Sequence, residues 1–315
     1  MIYFPETVDE LARLSGEIRA GGTALHDRRR LGLSHGPLID LRNIVALENL
    51  NLSKPSIGAM VTLEHLGEHP WIQKNYAALA EAIAHIATPQ IRRVATVGGN
   101  LLQRNRCWYY REKDLECYKK GGDHCSARRE GQVYDVCWDL GPCITPHPST
   151  LGVVFLAYDA VVQTLKSPGL SIEQLFGDGR SASCDHYLPA SDILCAVELP
   201  PPVPEVSGYR RVSDRTFAAW PLIEMVVRLQ GEQYISHAHI AVGGIASVPV
   251  RLAWVEDFLT GQPLEQMVFS RAADLAADPI VATELVASSK YKLVLLKNCL
   301  QALLQTCAHS LQRSC

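Results

Sequence analysis

Thr96-Val97-Gly98-Gly99-Asn100 sets a paired-glycine loop directly ahead of the densest run of cysteines in the chain. Cys107, Cys117, Cys125, Cys137 and Cys143, five of the ten cysteines, fall within 37 residues. Buried structural cysteines scatter through a core, so packing alone does not account for such clustering. A thiolate-bound metal centre beside a loop that binds an anion does account for it. A second glycine pair lies upstream in Ala20-Gly21-Gly22-Thr23-Ala24-Leu25. Each pair is flanked by threonine, whose hydroxyl adds a donor, and neither belongs to a G-x-G-x-x-G or Walker A pattern. A doubly wound dinucleotide site and an NTPase are therefore not indicated. Successive N–H groups of a glycine pair can converge on a phosphate oxygen, although a lone pair is more often an ordinary tight turn. Gly243-Gly244 reads as such a turn after a strand.

Outward from these loops, the chain divides into short units. Thr7-Val8-Asp9-Glu10 has the form of a capping box, and Leu11, Leu14 and Ile18 continue it as one apolar helix face ending at the first glycine pair. Leu38 to Leu41 and Ser56 to Ala59 read as strands, giving a small α/β unit over residues 1–55. A helix from Tyr76 to Ala87 presents Leu79, Ile83 and Ile86 and stops before Pro89. Leu151 to Thr164 is strongly apolar and reads as a strand, or as a buried helix followed by a strand. Pro200-Pro201-Pro202-Val203-Pro204 cannot sustain a helix or a central strand and marks a linker. Beyond it, Phe217 to Leu229 and Ile235 to Gly243 read as strands, and Lys292 to Cys307 as an amphipathic terminal helix.

The composition narrows the function classes. The 315 residues suffice for about two or three cored units. Thirty Lys and Arg against 33 Asp and Glu leave a net charge of −3, which favours neither nucleic acid nor an anionic membrane. The start, Met1 to Thr7, lacks a cationic head and an apolar run, and no apolar segment reaches the roughly 18 residues needed to span a bilayer. A cytoplasmic, reducing location is expected, in which ten cysteines are not five disulfides. Cys184, Cys195, Cys299, Cys307 and Cys315 then read as small apolar side chains.

The spacing within the cluster is irregular: nine residues separate Cys107 from Cys117, seven separate Cys117 from Cys125, and seventeen separate Cys125 from Cys143. Zinc knuckles need cysteines about two to four residues apart, and plant-type [2Fe–2S] sites need C-x4-C-x2-C. Neither is present. Widely spaced thiolates on an irregular loop suit a [4Fe–4S] cubane, whose corners take ligands from different directions. Eight basic against five acidic residues between Arg104 and Glu130 fit the negative charge of such a centre, although a solvated loop accounts for any one of them. Trp108, Tyr109 and Tyr110 either exclude water from it or anchor the loop. His124 is either a ligand or a hydrogen-bonding surface histidine. One cysteine is left over, and Cys137, in mid-loop, is the expected spare.

The motif Ile86-Ala87-Thr88-Pro89-Gln90-Ile91-Arg92, taken with the two glycine loops, resembles the FAD-binding medium subunit of the xanthine dehydrogenase family of molybdenum hydroxylases. The resemblance runs on through Cys143-Ile144-Thr145-Pro146-His147-Pro148-Ser149 and Tyr209-Arg210-Arg211-Val212, and weakly to Tyr291-Lys292. It implies an α+β protein: a two-subdomain FAD-binding fold of the vanillyl-alcohol-oxidase/PCMH type over 1–55 and 56–200, then a C-terminal α+β domain, an antiparallel sheet plus helices, over 206–315. Cys107-Trp108-Tyr109-Tyr110-Arg111 and the region before Cys125 are similar to a loop, here about 104–143, inserted in one branch of the family, as in the β subunit of 4-hydroxybenzoyl-CoA reductase. That likeness implies a [4Fe–4S] cluster on Cys107, Cys117, Cys125 and Cys143. It also implies FAD contacts from Ala20, Gly21, Gly22, Thr23, Ala24 and Leu25, from Thr96, Val97, Gly98, Gly99 and Asn100, and from Thr150 and Arg211. At three of these positions the chain departs from the family: Thr150 stands where aspartate is usual, Arg211 where lysine is usual, and Ala24 where serine or aspartate is frequent.

The implied role is an electron-transfer flavoprotein subunit, moving electrons between FAD, the [4Fe–4S] cluster and centres on a small [2Fe–2S] subunit and a large molybdopterin subunit. A ferredoxin or other electron carrier is a further expected partner; nucleic acid and membrane are not. A stand-alone FAD oxidoreductase and a zinc-stabilised structural or interaction protein are the competing readings.

Overall fold

The computed structural model describes residues 1–130, 135–167, 169–215, 218–281 and 290–314, whose strands form three sheets in succession. β1 (Ile2–Tyr3), β2 (Glu17–Arg19) and β3 (Leu38–Asp40) make a parallel sheet ordered β1-β3-β2. The helix expected through Ile18 is one turn only, Val8–Leu11. Thr7 Oγ1 caps it by accepting the Glu10 N–H at 3.1 Å, while the Glu10 carboxylate takes the N–H of Glu6 instead of closing the box. Gly16 is where the chain turns away: a Cβ there would lie 2.8 Å from the Pro37 carbonyl oxygen. Ile18 therefore enters β2 opposite Ile39, and the helical period of the leucines is divided between a turn and a strand.

The second sheet holds β4 (Leu50–Asn51), β5 (Ser56–Gly58), β6 (Val161–Thr164), β7 (Leu170–Ser171) and β8 (Leu194–Glu198). All its pairings are antiparallel, in the order β4-β5-β8-β6-β7. Between β5 and β6 the chain supplies the core helices and the cysteine stretch. The helix Ala77–His85 buries Leu79 and Ile83 as its pattern predicts; the extended Ile86 ends it, and Ala87 beyond takes the left-handed region at φ 48°. The apolar segment after Ser149 resolves into a buried helix, Thr150–Ala157, followed by β6. All eight residues of that helix are buried, so it has no face for water and must be covered on every side.

Its covering comes partly from the C-terminal unit. β9 (Val206–Val212), β10 (Ile223–Gly231), β11 (Ile235–Gly243) and β12 (Val250–Arg251) form an antiparallel sheet ordered β12-β11-β10-β9. Strand alternation splits its two faces. Val226 and Ala241 join Phe155 in one core, while Met225, Val227 and Val242 join Leu296 and Leu300 in another. The second core is closed by helices Gln266–Val281 and Tyr291–Ser314, the latter longer at its end than the expected Lys292–Cys307. β10 starts at Ile223, later than expected, and Phe217 lies outside the described residues. Pro200 to Pro204 carries no regular structure, as its prolines require. Among the described residues no helix is long and apolar enough to cross a membrane.

The two units are locked by Arg228 on β10. Its guanidinium makes a two-pronged pair with Glu205 at 2.8 and 2.9 Å, donates to the Ala157 carbonyl at 2.7 Å and lies 4.4 Å over the Tyr158 ring. Both charged side chains are under a tenth exposed. Arg228→Met, which strands the Glu205 carboxylate, should cost about 3–5 kcal/mol in denaturant unfolding. Replacing both residues with methionine should cost clearly less than that single change.

Candidate functional site

A cleft of about 660 Å³ opens where the two glycine loops meet. A Cβ on Gly21 would lie 1.8 Å from the Val94 carbonyl oxygen, so the first loop rests on the backbone leading into the second. Gly22 then takes φ 73°, a conformation that favours glycine. Ala20, Gly21, Gly22, Thr23, Ala24, Leu25, Thr96, Gly98, Gly99, Asn100, Thr150 and Arg211 all line the cleft. Val97 does not; it is fully buried, with its N–H bonded to the Val61 carbonyl.

The loops differ in what they offer. Thr96 caps the short helix Val97–Leu101, its hydroxyl accepting the Gly99 N–H at 3.1 Å. The Gly98 N–H is bonded to the Ala59 carbonyl at 2.8 Å. The anion nest expected at Gly98-Gly99 is therefore closed by internal bonds, and these glycines serve close packing instead. At the first loop the N–H groups of Gly22, Thr23 and Ala24 have no backbone acceptor among the described residues, which leaves them for an anion. Asn100 ties the second loop to the central helix, its Oδ1 accepting Ser149 Oγ at 2.9 Å and the Leu151 N–H at 3.2 Å. Thr150 hydrogen-bonds the buried Glu224, whose carboxylate accepts Tyr209 Oη at 2.7 Å and is raised in pKa by burial. A second carboxylate in place of Thr150 would face Glu224 directly. Arg211 donates to the carbonyls of His85 and Ala219.

Other walls of the cleft were not anticipated. His186, Leu188 to Ala190 and Ala218 to Pro221 contribute, and Ala218, like Ala87, holds a left-handed backbone, at φ 58°. Such strain gathers at binding sites, but no residue type announces it in the sequence. Arg104, Arg106 and Arg111 of the cysteine stretch also face the cleft. Their positive charge thus serves the cleft and not the thiols, contrary to the sequence-based expectation. Arg104 pairs with Asp185 at 2.8 Å, and Arg111 with Asp27 at 2.5 Å. Arg106 lies 4.7 Å over the Trp220 ring, and burial together with the neighbouring Arg111 brings its pKa down to about 10.

The basic groups that do act on the thiols lie further along. Cys117 and Cys125 face each other across an isolated antiparallel bridge, and Cys107 and Cys125 pack with Tyr109 against Val136 and Ile144. Burial raises the Cys117 thiol, with Cys107 and Cys125 adding to the shift against the Lys119 N–H and Lys120. Burial pushes Cys143 up to about 11, opposed by the Lys119 ammonium and reinforced by Cys125. Burial is thus the main cause for Cys117 and Cys143, and among the described residues no three of the four thiols lie close enough to hold a single metal ion between them. Cys137 stands apart: it packs in the C-terminal core, with its N–H on the Ile245 carbonyl. His124 is bonded to the carboxylates of Asp123 and Glu116 at 2.7 and 3.1 Å. Trp108 is 71% exposed, Tyr109 packs beside Cys107 and Cys125, and the buried Tyr110 lies under the Arg104 guanidinium instead. Elsewhere Cys299 and Cys307 are buried as expected, whereas Cys184 is exposed and Cys315 lies outside the described residues.

One buried carboxylate joins the cysteine loop to the cleft. Asp185 takes Lys119 at 2.6 Å as well as Arg104, and these cations hold it below the usual carboxylate range despite its burial. Beside it the His147 imidazole is driven from 6.5 to about 3 by burial.

The family of FAD binding domains in molybdopterin dehydrogenases matches residues 1–202, and that of CO dehydrogenase flavoprotein C-terminal domains matches residues 209–307. The chain belongs to the FAD-binding subunits of the molybdenum hydroxylases. The aldehyde oxidoreductase FAD-binding subunit PaoB of Escherichia coli is 30% identical over 298 residues, covering 90% of this chain and 89% of the relative. The nicotinate dehydrogenase FAD-subunit of Eubacterium barkeri is 30% identical over 112 residues, 31% of this chain and 37% of the relative. Quinoline 2-oxidoreductase from Pseudomonas putida 86 shares the fold, with a TM-score of 0.75 at 20% identity over 99% of this chain and 97% of its own. This FAD subunit is thus one part of a multi-subunit oxidoreductase, with the mixed helix and sheet architecture of its relatives.

Two measurements check the geometry of this FAD subunit. Gly21→Ala sets a methyl against the Val94 carbonyl and should yield folded protein largely stripped of flavin, read from its absorbance. The unfolded chain gains a proton on His147 near pH 6.5 that the folded chain refuses until about pH 3. Unfolding free energy should therefore fall as pH drops through that window, with a shallower fall in His147→Asn.

Proposed function

We propose that this chain is an electron-transfer flavoprotein subunit that holds FAD in the glycine-loop cleft and a [4Fe–4S] cluster on Cys107, Cys117, Cys125 and Cys143. Its partners in this reading are a small [2Fe–2S] chain and a large molybdopterin chain, with substrate chemistry on the latter, in the cytoplasm. The observation that carries it is the construction of the cleft: the segment bearing the four cysteines also furnishes three of the arginines that line it. When bound, FAD exchanges electrons in twos or singly and an iron–sulfur cluster singly, so that the pair links two-electron to one-electron carriers.

The residues fit both groups. Gly22, Thr23 and Ala24 present free N–H groups suited to the diphosphate, while Gly98 and Gly99 let the second loop pack closely beside it. Arg211, fixed by two carbonyls, keeps its charge on the wall beside Ala219. Lys119, Lys120 and Arg128 offset the charge of four thiolates. Tyr109, Val136 and Ile144 pack against Cys107 and Cys125 on the inner side. The Escherichia coli relative that matches over 90% of this chain is the FAD-binding subunit of an aldehyde oxidoreductase, which agrees with a role in a larger assembly.

Metal and flavin analysis of the purified chain tests this. The expected outcome is FAD together with iron and acid-labile sulfide, both iron and sulfide falling sharply in Cys117→Ser while Cys137→Ser retains them. Zinc on the thiols with no iron, or iron unchanged in Cys117→Ser, would overturn the cluster assignment.

A further inference from the structure

Four of the arginines that line the cleft gather on one side, and three of these have carboxylate partners. Arg104 pairs with Asp185, Arg111 with Asp27 and Arg28 with Glu17 at 3.0 Å. Arg106 has no ion pair among the described residues, and Asp27, which is paired with Arg111 and Arg30, attracts it only at longer range. Its one side-chain hydrogen bond is a 3.3 Å contact from Nη2 to Gln103 Oε1, and its buried Nε has no acceptor. Trp220, from the C-terminal unit, covers one face of the guanidinium at 4.7 Å. A cation so stripped of water and so poorly neutralised is stabilised when an anion enters the cleft beside it. Arg106 also immediately precedes Cys107, so the two share one stretch of backbone.

We propose that Arg106 is a cofactor contact carried by the cysteine loop, its guanidinium neutralising an anionic group of the flavin nucleotide and so coupling nucleotide binding to the state of the loop. The contact rests on the FAD-binding cleft, and the coupling rests on the metal reading given above. Neither the glycine loops nor the C-terminal unit requires it; it is a property of the inserted segment. Trp220 acts as its platform, holding the planar guanidinium in one orientation by a cation–π contact.

The test uses the full chain, with FAD removed and titrated back by fluorescence and iron measured in every sample. Arg106→Gln should weaken FAD binding roughly tenfold or more, with iron content unchanged, and Arg106→Lys should fall between it and the parent. Cys107→Ser should weaken FAD comparably, and the double variant should bind no worse than the weaker single one, because both changes remove the same contact. Parent-like FAD affinity in iron-loaded Arg106→Gln would overturn the contact, and strictly additive losses would overturn the coupling. A parent chain without iron would sink the cluster reading instead, leaving Arg106→Gln to decide the contact alone.

Discussion

A helix without a polar face has to be covered on all sides, and Thr150–Ala157 imposes that demand on the whole chain. Helix Ala77–His85 covers it from the FAD-binding region, and β10 and β11 cover it from the C-terminal unit. Its first turn is fixed to the second glycine loop through Asn100, and its last carbonyl accepts Arg228 from β10. The cleft forms at the N-terminal end of this helix, beside Thr150. Site and core are thus one construction, since whatever displaces the helix also displaces a cleft wall.

What the sequence discloses follows from the range over which each feature acts. The helix at Ala77–His85, the strand pair at β10 and β11, and the proline linker are all written in local pattern, and they fall close to where that pattern puts them. The Leu11–Leu14–Ile18 period misled because Gly16 and the open edge of β3 outweigh three apolar side chains, drawing Ile18 into a strand. Local pattern also could not tell the two glycine loops apart. Only the approach of Ala59 shows that Gly98 has no N–H to offer, and Ala59 is 39 residues away in the chain. The arginines at 104, 106 and 111 were visible as charge, but a linear sequence does not say which way charge points.

The cysteine loop follows the same logic on a smaller scale. Cys107 and Cys125 pack in one small cluster with Val136 and Ile144, and Cys117 faces Cys125, while Cys137, only six residues before Cys143, belongs to another core. Proximity in sequence is a poor guide there because the C-terminal sheet captures the backbone at Cys137 and Trp138 through Ile245. Asp185, delivered from far along the chain, then pins Lys119 and Arg104 together and gives the loop its seat.

The wall formed by Ala218 to Pro221 has a consequence for the order of events during synthesis. The glycine loops lie more than a hundred residues before it, and β10, which positions it, needs β11 and the terminal helices to bury its second face. Contacts of such long range form late, because loop closure must be completed before they contribute. A chain still emerging from the ribosome can assemble its first sheet and both glycine loops, yet it has only part of a container. The cleft has its full set of walls only in a finished polypeptide, once the C-terminal unit has docked.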